Sequence, residues 1–395
     1  MDVAVTFQAL LNVPGIARSL LPADPVQRER LPVLAFLHDF GKCNRGFQAK
    51  IDPTKRDTAG HVLEAVGLLF DLQDLWPTLW TTLLTEIAGW FCDEEQALQM
   101  LLASVSHHGR PVSEHDYRSA GIDRTAKRWW AADSDYDPLT ALDALAHAAC
   151  SAFSAAFSSD IPPIDASPAL QQRFAGLVML ADWIGSDTQF FPYRQSPEED
   201  RLALARAAAQ RALQSIGLIP PRRREPKPFA ATFPFRPTPL QAALAGRIAP
   251  HEDTRLLLAE SDTGSGKTEA ALAWFFRLYS EGRVDGLYFA LPTRVAAREL
   301  YARVLQAIEA AFEPDDRPGP VLLAAPGYVK VDGQSVSHAL ADPEGTLWDD
   351  NKADRQRERL WSAERPKRFL AAPVAVGTID QALLSALQVK HSLLR

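Results

Sequence analysis

The chain has 395 residues, 47% of them hydrophobic and 23% charged, ordinary values for globular proteins that allow two or three domains with buried cores. A formal charge of -7 excludes a protein that holds nucleic acid by bulk charge, so any such contact must be local. Cys43, Cys92 and Cys150 are too widely spaced for a disulfide framework or a structural zinc site; with no basic start to an N-terminal leader and no run of about 18 apolar residues, the sequence reads as cytoplasmic, without a membrane span.

From residue 1 to about 217 the pattern is helical, with apolar residues recurring at three- and four-residue spacing in VLEAVGLLFDLQDLW, QALQMLLASV, RFAGLVMLADWI and RLALARAAAQRALQSI. Residues 218–239 hold seven of the 29 prolines and three consecutive arginines, the composition of a linker. Short apolar runs then precede helices: RLLLAE before GKTEAALAWFFRLYSEG, GLYFALP before TRVAARELYARVLQAIEAAF, and PVAVGT before IDQALLSAL. That order predicts a parallel α/β sheet over 240–395. Residues 314–370 are mixed, and DDNKADRQRERLWSAERPKR reads as a solvated helix, with a basic DNA-facing surface as the alternative.

Chemistry concentrates at a few positions in the helical half. HDFGK places His38 and Asp39 side by side at the end of an apolar run, where an imidazole nitrogen and a bridging carboxylate can face one cavity and hold divalent metals. A lone His-Asp pair is more often a surface or capping pair. His61 at a predicted helix start, His107 and His108 at a helix end closed by Gly109 and Pro111, and Asp182 inside the apolar FAGLVMLADWIGSD shift the balance toward a metal cluster. Asp182 is expected to be buried, and a buried carboxylate needs a cation or several donors.

In the order His-Asp, Gly-Lys, Phe-Gln within HDFGKCNRGFQAK, then His61, the His-His-Gly triplet and Asp182-Trp183, residues 1–217 resemble the HD nuclease domain of the CRISPR type I nuclease-helicases. The resemblance implies an all-α HD bundle that binds manganese, nickel, cobalt, iron or magnesium through His38, Asp39, His61, His107, His108 and Asp182. Asp39 would bridge, Lys42 would sit near the scissile phosphate, Ser186 would support the ligands, and Trp183 would be core. The family's opening helix carries another metal-binding histidine a few residues before an Asp-Val-Ala stretch. Here FQALLNVPGIA offers Gln8, Ala9 and Asn12, so one of two metal positions is expected to lack a ligand.

In the second half AESDTGSGKTEAAL follows an apolar run and opens a helix, the setting of a phosphate-binding loop. Backbone amides of Gly264, Ser265 and Gly266 can wrap phosphate oxygens, Lys267 can reach the β- and γ-phosphates, and Thr268 can take magnesium; Ser261 stands where a smaller residue is usual. Phe235 and Gln241 in FRPTPLQ resemble the adenine-reading element of superfamily-two helicases. ALPTR, with Thr293 and Arg294, and VGTIDQ, with Thr378, Asp380 and Gln381, resemble their DNA-backbone motifs.

The acidic motif and the second RecA-like domain of such helicases are not reached before Arg395, so the chain reads as a truncated or split member, binding ATP weakly and hydrolysing little. The resulting expectation is an all-α HD domain, a linker, and a partial α/β RecA-like P-loop domain. They would form an endonuclease cutting single-stranded DNA exposed by an RNA-guided surveillance complex. The alternatives are a phosphohydrolase of nucleotides and a non-catalytic adaptor for that complex.

Overall fold

The computed structural model describes the chain except residues 20–23, 53, 109–110, 159–160, 194–199, 222–223, 251–255, 326–328, 336–365 and 384–395. The described residues form two compact units, 1–12 with 16–210, and 13–15 with 211–383. Most of the charged stretch 349–368 and the end of the last predicted helix lie outside the described residues.

The first unit is helical. Helix α1 (Asp2–Leu11) buries Val3, Ala4, Phe7 and Leu10, and packs on α2 (Leu31–Phe36) and on α5 (Pro168–Gly185). Phe7 meets Phe174 of α5 edge-on with ring centroids 5.4 Å apart. Burying one such side chain contributes about 1.5–3 kcal/mol. Helix α5 starts where Ser167 accepts the Leu170 N–H and Pro168 presets the first turn. It is apolar on nearly every face because α1 and α4 (Glu94–Val105) both cover it. Between α2 and α4, α3 (Val62–Phe70) completes the scaffold around the turn that follows α2.

The second unit carries a five-stranded sheet. Strands β1 (Leu287–Leu291), β2 (Val321–Ala324) and β5 (Val374–Thr378) are parallel, with β5 between the other two; β3 (Lys330–Val331) pairs antiparallel with β2, and β4 (Gln334–Ser335) antiparallel with β3. Every residue of β5 is buried, which explains its unbroken apolar run. Val374 and Val376 pack with Val304, Ile308 and Phe312 on one face, and Ala375 with Leu322 and Phe369 on the other. Helices α6 (Lys267–Ser280) and α7 (Arg294–Ala311) follow the phosphate loop and β1, as the sequence pattern predicts. Of the proline-rich segment, Arg224 pairs with Asp285 at 2.9 Å and Phe233 enters the core of this unit.

Three expectations are corrected. The sheet is mixed rather than parallel, because β3 pairs antiparallel with β2 and the Asp332-Gly333 turn, both residues at positive φ, folds β4 back against β3. PVLLAAP, left within a mixed region, contains β2. The run before the phosphate loop is no strand: Leu256–Glu260 pair with no described strand, and Leu256 and Leu258 are 74% and 82% exposed. Three leucines form a strand only when at least one neighbouring strand takes up its backbone groups, and the described sheet supplies none.

Candidate metal centre

Helix α2 runs into a 3-10 segment, Leu37–Cys43, that breaks at Asp39 (φ -116°, ψ 18°). Consecutive residues of a regular helix point about 100° apart. The break lets His38 and Asp39 serve one cavity. His61 occupies the N-cap position of α3 yet makes no capping bond, so its ring is free to turn to Asp39. His107 and His108 follow the end of α4; Gly109 lies outside the described residues.

These elements bring the ligands together. The Nε2 atoms of His38, His61 and His107 lie 3.1, 3.2 and 3.4 Å from the Asp39 carboxylate, and His61 and His108 approach each other Nε2 to Nε2 at 3.1 Å. Asp182 is farther out, 3.8 Å from His38 Nε2. Its side chain is 20% exposed rather than buried as expected, and it accepts a 2.8 Å bond from Ser186 Oγ. Lys42 Nζ sits 2.5 Å from Asp39 Oδ2. Trp183 is core.

Protonation follows from the backbone. His38 Nδ1 donates to the Ala35 carbonyl at 2.8 Å and His107 Nδ1 to the Ser104 carbonyl at 3.2 Å; a carbonyl only accepts, so in the neutral rings each Nε2 carries a lone pair toward the cluster. Burial opposes ionisation of Asp39, but hydrogen bonds from His38 and His61 when these carry a proton on Nε2, and the charge of His38 and His107 when protonated, outweigh it and hold the carboxyl far below its usual range; with those Nε2 lone pairs bare, a cation would have to take the protons' place. Burial, then repulsion from His38, pushes His107 down to about 4, so it is neutral at pH 7.

The donor set fits a divalent cation. His38 Nε2 and Asp39 Oδ1 are buried and complete no well-aligned hydrogen bond despite their close neighbours, which leaves them available to a cation. Ligand atoms converge within 4.8 Å in two overlapping triplets, an inner one of His38, Asp39 and His107 and an outer one of His61, His107 and His108. Imidazole with carboxylate suits transition metals.

Gln8, Ala9 and Asn12 do not join this cluster; they line a separate cleft of about 290 Å³ with Arg28 and Glu29. Asp2–Ala4, the Asp-Val-Ala stretch, opens α1.

Sequence reasoning missed Asn44 and Glu64, both buried. Asn44 Nδ2 donates to the carbonyls of Gly41 and Gly60 at 2.7 and 2.8 Å, and Glu64 Oε1 accepts from Gly60 N–H at 3.0 Å. The signal was a polar residue two positions beyond HDFGK, which periodicity alone does not single out. Gly41 is also required as glycine: a Cβ there would collide with the His61 carbonyl oxygen.

In the second unit, the phosphate loop is held with Gly264 and Gly266 at φ +81° and +83°. Gln241 is fully buried, accepts the Thr238 N–H, and donates to the Gly266 carbonyl at 3.1 Å. Lys267 Nζ bonds the carbonyls of Ser261 and Asp262 at 2.6 and 2.8 Å, Ser265 and Thr268 are half-buried, and Phe235 is exposed beside Phe229 and Phe233. Leu291 and Thr378 are in register on β1 and β5, which brings the turns bearing Thr293, Arg294 and Asp380 to one sheet edge. Thr293 caps α7 by accepting the Ala296 N–H, Arg294 is exposed, and Thr378 and Gln381 are buried. No described helix is long and apolar enough to cross a membrane.

Known proteins resemble the chain in sequence and in fold. Residues 1–191 match the family described as Cas3, HD domain. The chain is 30% identical over 393 residues to the CRISPR-associated endonuclease/helicase Cas3 of Thermus thermophilus, covering 92% of this chain and 38% of that protein. It is 31% identical over 254 residues to the Escherichia coli protein of the same name, covering 60% and 26% respectively. The crystal structure of T. fusca Cas3 is similar with a TM-score of 0.59 at 26% identity, over 100% of this chain and 42% of that one. The chain thus spans well under half the length of these relatives.

Proposed function

We propose, from the premise that this chain belongs to the CRISPR-associated nuclease-helicase family, that its first unit is a divalent-metal-dependent endonuclease cutting single-stranded DNA. The observation that carries the reading is the convergence of the buried, unsatisfied His38 Nε2 and Asp39 Oδ1 with His61, His107 and His108. His38, Asp39 and His107 would hold one cation, and His61 and His108 would extend the set, with Asp182 as a peripheral ligand. A divalent cation so held supplies Lewis-acid polarisation of a phosphodiester. Asp39 keeps its charge through the neutral range and orients the imidazoles around it. Lys42, whose side chain is 43% exposed, exchanges its contact with Asp39 for a phosphate oxygen and offsets charge developing there.

For the second unit the proposal is nucleotide binding. Amides of Gly264, Ser265 and Gly266, with Lys267 and Thr268, would take the phosphates of ATP and its magnesium, and Gln241 and Phe235 would meet the base. Arg294, with Thr293 and Thr378, would lie along the DNA backbone. The division into residues 1–217, 218–239 and 240–395, a cytoplasmic setting and delivery of DNA by an RNA-guided surveillance complex belong to the same proposal.

The test is cleavage of circular single-stranded DNA by the purified chain across manganese, nickel, cobalt and magnesium, without ATP. Activity that needs metal and disappears in Asp39→Ala supports it. Cleavage surviving both that substitution and a chelator overturns it, and turnover of mononucleotides alone favours a nucleotide phosphohydrolase.

A further inference from the structure

We propose that Asn44 is a positioning residue that holds His61 in place as a metal ligand; the inference rests on reading the cluster as a metal centre. Asn44 lies between the two chain segments that carry Asp39 and His61, and it is completely buried. Its amide donates one hydrogen to the carbonyl of Gly41, two residues past Asp39, and the other to the carbonyl of Gly60, next to His61. Its own oxygen accepts the Phe47 N–H at 2.8 Å. All three groups are therefore committed, and moving the side chain breaks the link it makes between the Gly41 and Gly60 carbonyls.

The neighbouring contacts act in the same direction. Glu64 fixes Gly60 from the other side through its N–H, Ala59 N–H donates to Gly46 O at 3.0 Å, and the Phe47 ring, placed by Asn44, packs edge-on against His61 with centroids 5.3 Å apart. His61 has no capping bond of its own, so its direction is set by this clamp and by the close approach that Gly41 permits. Groups that orient metal ligands are usually worth 10- to 100-fold in affinity, as hydrogen bonds to ligating side chains are. Here the support acts one bond further back, on the backbone that carries the ligand.

The clamp acts through His61, of the outer triplet; its other arm holds Gly41, on the turn that carries Asp39 of the inner one. The experiment is a double-mutant cycle on the full chain, comparing wild type, Asn44→Ala, His61→Ala and the double variant. Manganese affinity is measured by calorimetry, the visible spectrum after loading with cobalt(II) reports ligand geometry, and thermal unfolding is followed without metal. We expect Asn44→Ala to weaken manganese binding roughly tenfold or more, to change the cobalt spectrum, and to add less than about twofold in the His61→Ala background, since residues acting through one another are not additive.

Affinity and spectrum unchanged in Asn44→Ala overturn the inference, as does an equal loss in both backgrounds. If Asn44→Ala does not fold without metal, Asn44→Asp, which keeps the acceptor and loses the paired donors, replaces it in the cycle. Failure of both to fold makes Asn44 a structural residue only and overturns the positioning role. Wild-type protein that binds none of manganese, nickel, cobalt and magnesium overturns the metal reading itself; wild-type binding matched by Asn44→Ala overturns this inference alone.

Discussion

Gly41→Ala tests how closely the two ligand-bearing segments must approach. An added Cβ would fall well inside contact with the His61 carbonyl oxygen and reach 2.9 Å from both the His61 carbonyl carbon and the Ala65 Cβ. Favourable carbon contacts lie near 3.5–4.0 Å, so the start of α3 must retreat by about 1 Å or the turn at Asp39 must open. Overpacking of this kind costs about 1–3 kcal/mol of stability. The larger effect falls on the site: a displacement of about 1 Å in a reacting constellation can cost about a hundredfold in rate. Manganese affinity by calorimetry and cleavage of single-stranded DNA should fall together, by more than the loss in thermal stability accounts for. Gly89→Ala is the control, because a Cβ there meets nothing nearer than 3.5 Å and should change neither. A Gly41→Ala protein that binds metal and cleaves within about twofold of wild type would refute the close-approach argument.

The pH dependence of stability has a definite sign. His107 titrates at about 4 when folded, below its ordinary 6.5, so the unfolded chain binds the extra proton between those values and stability falls as pH drops through that window. The loss should be at most about 3 kcal/mol, read from urea midpoints in chelator, and should vanish in His107→Gln. Below that window the depressed Asp39 adds a further loss in the same direction. Lys267→Ala should abolish binding of a fluorescent ATP analogue, and retention of wild-type affinity would refute the phosphate-loop assignment. Phe7→Ala should cost about 3–5 kcal/mol, measured by thermal or urea unfolding, because Phe7 is fully buried against Phe174.

The clustered histidines were legible as candidates because they stand at helix ends next to strongly periodic apolar runs, as His38 does after LPVLAFL and His107 does after QALQMLLASV. Their convergence was legible only through family resemblance, since nothing local says that His61 and His107 meet at Asp39. Asn44 was not legible: its importance lies in two carbonyls, one of them sixteen residues away, and backbone acceptors leave no mark in a sequence. The predicted strand Arg255–Glu260 failed for a related reason. Three leucines describe a residue that would pair well, but pairing depends on which strands lie alongside. The β3–β4 hairpin was an avoidable omission, because Asp332-Gly333 is a strong turn signal.

His107 belongs to both ligand triplets, yet its ring has one nitrogen to give, since the other is spent on the Ser104 carbonyl. A single lone pair cannot complete two cations at once. Filling the inner position therefore leaves the outer one a donor short, and filling the outer one does the same to the inner. The two positions behave as competitors for one electron pair unless an oxygen from solvent or from a bound phosphodiester makes up the difference. On the proposed metal reading, stoichiometry would then depend on what else occupies the site, so counts taken with and without a non-cleavable oligonucleotide should differ.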